Sequence, residues 1–131
     1  MQQIFIRVAA IVGAISVALG AFAAHKLKAI VSADVLQIFE TAVKYQFYHV
    51  FALMAVGILY KEYGGKWLQW SGYLFILGII LFSGSLYILC IAKHFYPADK
   101  SWIGAITPLG GVAFIAAWVL LAIGCTNKQP A

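Results

Sequence analysis

The sequence predicts an all-α integral membrane protein, an antiparallel four-helix bundle that runs up-down-up-down through the bilayer. Three observations carry this. Of the 131 residues, 64% are hydrophobic and 10% charged, and mean hydropathy is +0.95; a soluble domain normally carries about a quarter charged residues. The apolar residues gather in blocks, each long enough to cross a hydrocarbon core. The polar breaks between blocks are short, so neighbouring helices must reverse direction. The length accommodates one membrane domain, residues 1–131.

The first span covers about 4–24. Its opening, MQQIFIR, with Ala21-Phe22-Ala23 further on, mimics a secretory leader with a small-x-small cleavage site. However, Ala9, Gly13, Ser16, Gly20 and Ala23 repeat in a four-three rhythm. Such a stripe lets two helix backbones approach closely. A discarded leader would not need it, so we read a retained helix. The stripe could serve a neighbouring span or a second copy of the chain.

The second span, about 44–60, begins inside a longer helix that starts after Ser32. Ser32 is placed to cap that start. The lead-in 33–44, ADVLQIFETAVK, is amphipathic. Asp34, Gln37, Thr41 and Lys44 recur on a polar face suited to the membrane interface. Glu40 and Lys44 stand one turn apart, the spacing of a helical ion pair.

KEYGGK at 61–66 predicts a turn broken by Gly64-Gly65. The third span follows at about 67–92, then KHFYPADK at 93–100, a polar loop containing Pro97. The fourth span covers about 101–125, and TNKQPA is read as a frayed tail. Both termini then share one side of the membrane.

The second helix carries a seam in alternating steps of four and three: Val35, Phe39, Ala42, Gln46, His49, Leu53 and Val56. That spacing marks one face turned to partner helices. Gln46 and His49 therefore point inward, since lipid offers them no partner. Tyr45 and Tyr48 fall off the seam and suit the interface.

The antiparallel order brings other polar groups to the same half of the bilayer. Ser83 and Ser85 of FSGSLY, and Gly104, Thr107 and Pro108 of GAITPLGG, lie there with Gln46 and His49. At 1.5 Å per residue they sit within about 15 Å of that face. Pro108 has no N–H, so the Gly104 carbonyl loses its helical partner and needs another. His25 lies near the boundary. The expectation is a one-sided polar pocket lined by all four helices, the other half of the bundle being nearly free of polar side chains away from its rim.

That cluster admits three uses. Its members can bond one another and fix the register. They can line a small-ligand site or proton path open to one side, with His49 as the titrating group. Thirdly, His25, His49 and His94 share a side, which raises haem or metal binding, although no H-x-x-x-H or E-x-x-H spacing occurs. No Ser-His-acid signature is visible, so no catalytic residue and no cofactor is assigned. Cys90 and Cys125 lie near opposite ends of their spans and are not expected to bridge.

The net charge is +5. The lysines flank apolar spans, where lipid phosphates favour them, and no basic run suits a nucleic acid. Lys26, Lys28, Lys44, Lys93 and Lys100 border the first and third loops; Arg7, Lys61, Lys66 and Lys128 lie opposite. The positive-inside rule thus places the first and third loops in the cytoplasm by a margin of one charge.

ALGAFAAHKLK (18–28), FETAVKYQFYHVFAL (39–53), FSGSLYIL (82–89) and ITPLGGVAFIAAWVLLAI (106–123) together resemble the YgdD-like family of small membrane proteins. The resemblance spans nearly the whole chain, in the family's order. It implies a bacterial inner-membrane protein with mitochondrial relatives, a four-span fold, and no assigned activity. His25, Tyr45, Gln46, His49, Ser83, Gly84, Ser85, Thr107, Pro108 and Gly110 fit the family pattern. Ala23 and Lys26 stand where the family often has glycine, Phe39 where it often has tryptophan, and Ala117 where glycine is common before Trp118.

The sequence therefore reads as a small non-enzymatic membrane protein with a structural or accessory role. Its expected partners are the lipid bilayer and, where the stripe of the first helix serves that contact instead of internal packing, a second copy of itself. The residues name no small-molecule ligand.

Overall fold

Backbone amides in lipid must be satisfied internally, so each apolar block folds as a helix. A computed structural model describes residues 1–96 and 101–126. Its helices are α1 (Gln2–His25), α2 (Ala33–Tyr63), α3 (Gly65–Gly78), α4 (Gly84–Phe95) and α5 (Ser101–Gly124), with a 3₁₀ turn at Leu27–Ala29. A π-helical segment, Ile79–Ser83, joins α3 to α4, so these three pieces form the third span. Gln2–Ala29, Ala33–Tyr63, Gly65–Phe95 and Trp102–Gly124 are each long and apolar enough to cross a membrane. The predicted Pro97 loop and most of the predicted tail, residues 97–100 and 127–131, lie outside the described residues.

Contacts at the two ends establish the antiparallel order. At one end Phe5 meets Tyr60 and Tyr73 edge to face, with ring centroids 6.4 and 5.7 Å apart. Phe5 there joins a buried core with Leu53, Val56, Phe75 and Phe114. The start of α1 thus faces the end of α2 and the start of α3. At the other end Ala23, Val35, Phe39 and Cys90 form a second buried cluster. Met1 accepts from the Tyr73 hydroxyl, and Gly124 packs on Leu68, so both ends of the described chain share the first end.

The small-residue stripe of α1 packs on α2. Ala9, Ser16 and Ala23 are buried. A methyl added at Gly13 would reach Val50 at 3.3 Å, and one at Gly20 would reach Val43 at 3.6 Å. Within the chain, α2 takes up much of that face.

Several local expectations change. The turn predicted over 61–66 narrows, because α2 continues to Tyr63 and α3 starts at Gly65. Positive φ at Gly64 (54°) and Gly65 (80°) reverses the chain in that short space. Ser32 occupies the N-cap position of α2, but its hydroxyl makes no capping bond; its carbonyl accepts from the Leu36 N–H at 2.9 Å. Glu40 and Lys44 both stand exposed, and no ion pair joins them among the described residues.

The fourth span keeps its helix through Pro108. The irregularity falls in the third span instead, as the π segment. Gly110 of α5 lies directly against the Phe82 backbone there, where any Cβ would collide. Close approach of α5 to the widened turn is what this glycine permits.

Candidate functional site

All seven seam residues of α2 are buried, from Val35 to Val56. Gln46 is 4% exposed and His49 6%, against 40% for Tyr45 and 57% for Tyr48. The two polar seam residues serve different neighbours. Three residues along a helix turn a side chain by about 60° relative to its predecessor, and this suffices to aim them apart.

Gln46 joins three spans. Its Nε2 donates to Ser16 Oγ on α1 at 2.8 Å, and that hydroxyl donates to the Val12 carbonyl at 2.8 Å. Its Oε1 accepts from the Tyr87 hydroxyl on α4 at 2.9 Å. The amide thus uses donor and acceptor in opposite directions. Tyr87 also packs on Phe39, with ring centroids 5.0 Å apart.

His49 stands among aromatic rings. It stacks on Phe114 of α5 with centroids 3.4 Å apart and planes 5° apart. Phe75, Trp118 and Tyr45 are its other ring neighbours. Its Nδ1 lies 2.6 Å from the Tyr45 carbonyl, one turn back. A carbonyl only accepts, so Nδ1 carries a proton, and in the neutral ring the lone pair then falls on Nε2. No partner for Nε2 occurs among the described residues.

The serines make separate connections. Ser83, in the π segment, donates to the Ala42 carbonyl of α2 at 2.8 Å. Ser85 donates to the Phe82 carbonyl at 2.9 Å and lies 2.6 Å from Thr107 Oγ1 of α5. Every side-chain nitrogen and oxygen that is fully sealed from the surface among the described residues has a hydrogen-bond partner, so the unpartnered His49 Nε2 keeps some exposure.

The structure therefore brings Gln46, Ser83, Ser85 and Thr107 into interhelical bonds, and places His49 in a separate aromatic setting. Gly104 and Pro108 stand on the exposed face of α5. Ser83, Ser85 and Gln46 bond to groups other than the Gly104 carbonyl. His25 is exposed at the end of α1. Among the described residues no three His, Cys, Asp or Glu side chains gather as a metal site.

Two contributors escaped the sequence reading. Ser16 was read for its size, while its hydroxyl receives the Gln46 amide. Tyr87 lies one turn after Ser83 on the same face, a spacing that could have flagged it. The other half of the bundle is also less apolar than expected. Ser71, fully buried in α3, donates to the Ala117 carbonyl of α5 at 2.8 Å.

Four antiparallel apolar helices tied by buried side-chain hydrogen bonds define a small polytopic membrane protein. The chain belongs to the family described as "Protein of unknown function (DUF423)", whose profile matches residues 19–111. It is 41% identical to the UPF0382 membrane protein YwdK of Bacillus subtilis, over 96% of this chain and 98% of that protein. It is 42% identical to the UPF0382 membrane protein SSP2132 of Staphylococcus saprophyticus, over 94% and 97%. It is 39% identical to the UPF0382 inner membrane protein YgdD of Escherichia coli K12, over 92% and 88%. No solved structure matches significantly.

Proposed function

We propose that this chain is a non-catalytic structural or accessory protein of a bacterial inner membrane, whose intramembrane polar groups serve to fix helix packing. The observation that carries the reading is the Gln46 side chain, bonded to Ser16 on one side and Tyr87 on the other. An amide engaged at both ends by neighbouring helices is a fastener. The inner-membrane location rests on the relative named as an inner membrane protein. The margin of one positive charge supports reading the first and third connections as cytoplasmic.

One observation favours a second reading, a proton-linked or small-ligand role for His49. Its Nδ1–H is committed to the Tyr45 carbonyl while Nε2 is left with a lone pair. Proton flux into dye-loaded proteoliposomes separates the two. The structural role predicts flux equal to protein-free vesicles for wild type and His49→Phe alike. Flux that wild type supports and His49→Phe abolishes would replace it with the transport role.

A further inference from the structure

A cavity of about 350 Å³ lies where α1 and α4 end, enclosed by the 3₁₀ turn and the start of α2. Leu19, Leu27, Val31, Phe39, Ile91 and His94 line it, and the surface they present to it is apolar. The volume falls at the low end of the roughly 300–1,000 Å³ typical of ligand sites. Its lining is apolar, which suits a hydrocarbon chain and offers no anchor to a polar solute. Its position is the membrane boundary, since α1 closes at His25 and α4 at Phe95.

Lysines neighbour its lining residues along the chain. Lys26 and Lys28 flank the lining residue Leu27, and Lys93 precedes His94; all three lysines are exposed. Asp34 stands within electrostatic reach of Lys93 and offsets part of its charge, leaving Lys26 and Lys28 as the main cations beside Leu27. An acyl chain gains little by leaving lipid for an equally apolar cavity, so the headgroup must decide the occupant. Lysines at the boundary select an anionic one.

We infer that this cavity seats an acyl chain of an anionic glycerophospholipid of the surrounding bilayer, with Lys26, Lys28 and Lys93 holding its phosphate. The cavity shares Phe39 with the packing around Tyr87 but is lined by no member of the Gln46 bridge, and the inference does not rest on the packing role proposed above.

The test uses the full-length protein in nanodiscs of equal phosphatidylglycerol and phosphatidylcholine, with co-released lipid counted by native mass spectrometry. Wild type is expected to retain phosphatidylglycerol on the order of tenfold over phosphatidylcholine, given the attraction of each boundary lysine for anionic lipid. Lys26→Gln/Lys28→Gln/Lys93→Gln should bring the ratio close to unity. Val31→Trp, which fills the cavity without touching charge, should lower the lipid retained. Lys61→Gln/Lys66→Gln, at the opposite end, should keep the wild-type ratio. Equal retention of both lipids by wild type overturns the inference, as does an equal loss in the opposite-end variant. Displacement by glycerol 3-phosphate as effective as displacement by lipid would also overturn it, because the chain would then play no part.

Discussion

The Tyr87 hydroxyl donates to Gln46 Oε1 at 2.9 Å, and this bond joins the second and third spans inside the bilayer. The geometry explains why glutamine serves here. Its carbonyl and amino groups diverge, so one side chain can accept from α4 while donating to Ser16 on α1. Leucine of similar size would fill the space and connect nothing.

Gln46→Leu should therefore lower stability in detergent by about 1–3 kcal/mol, the range for a buried bond lost with its partner left unpaired. Pairing it with Tyr87→Phe in a double-mutant cycle should return a coupling of about 0.6 kcal/mol, the average for side-chain bonds between membrane helices. Strict additivity of the two losses in thermal melting would mean the bond contributes nothing.

Gly110 and Gly104 lie on one helix and should respond in opposite directions. A Cβ at Gly110 would strike the backbone nitrogen and Cα of Phe82, which cannot swing aside as a side-chain tip can. Gly110→Ala should cost about 1–3 kcal/mol, the range for overpacking. At Gly104 an added Cβ meets nothing within 4 Å. Gly104→Ala should be neutral or stabilising by up to about 1 kcal/mol through helix propensity. Parallel melts of the two variants decide the matter, and equal shifts would contradict the close approach of α5 to the π segment.

Much of this fold is readable from spacing. The seam of α2 and the stripe of α1 are periodic, and periodicity survives folding because each residue's direction follows from its count along the helix. Gln46 and His49 point inward for that reason. The division of the polar groups was not readable, because a seam has width. Its two polar members sit on opposite edges, one toward Ser16 and Tyr87, the other toward Phe114. The π segment was hidden too. IILFS carries no proline or glycine to announce it, and it depends on the Ser83 bond to Ala42 and on the space opened by Gly110 of another helix. Pro108 is a helix breaker by residue type, yet α5 continues through it.

His49 contributes by ring packing more than by its hydrogen bond. The Tyr45 carbonyl also belongs to the α2 helix ladder, so losing the imidazole does not orphan it. The stack on Phe114, by contrast, has no substitute. His49→Leu should destabilise by about 1–3 kcal/mol through misfit in the core. His49→Phe, which keeps a flat ring, should lose less. Tyr48→Leu, 57% exposed, should stay within about 0.5 kcal/mol of wild type. The ranking is checked by melting in detergent, and a His49→Leu loss no larger than that of Tyr48→Leu would refute the packing role.

The two cysteines give a direct reading of both burial and sidedness. Cys90 is buried at the end that holds Phe39, and its thiol donates to the Val35 carbonyl at 3.4 Å. Cys125 is partly exposed at the opposite end of the bundle, beyond the last turn of α5. Only the thiolate reacts with maleimide, and a thiol buried in apolar surroundings is inert. In intact cells or right-side-out vesicles, a membrane-impermeant maleimide should label Cys125 and spare Cys90 until the protein is unfolded. Cytoplasmic first and third connections would put Cys125 on the outer face, so labelling should occur without permeabilisation. Labelling of Cys125 only after permeabilisation would reverse the orientation while leaving the fold intact. Labelling of Cys90 as fast as Cys125 in the folded protein would contradict the packing of α4 against α2 itself.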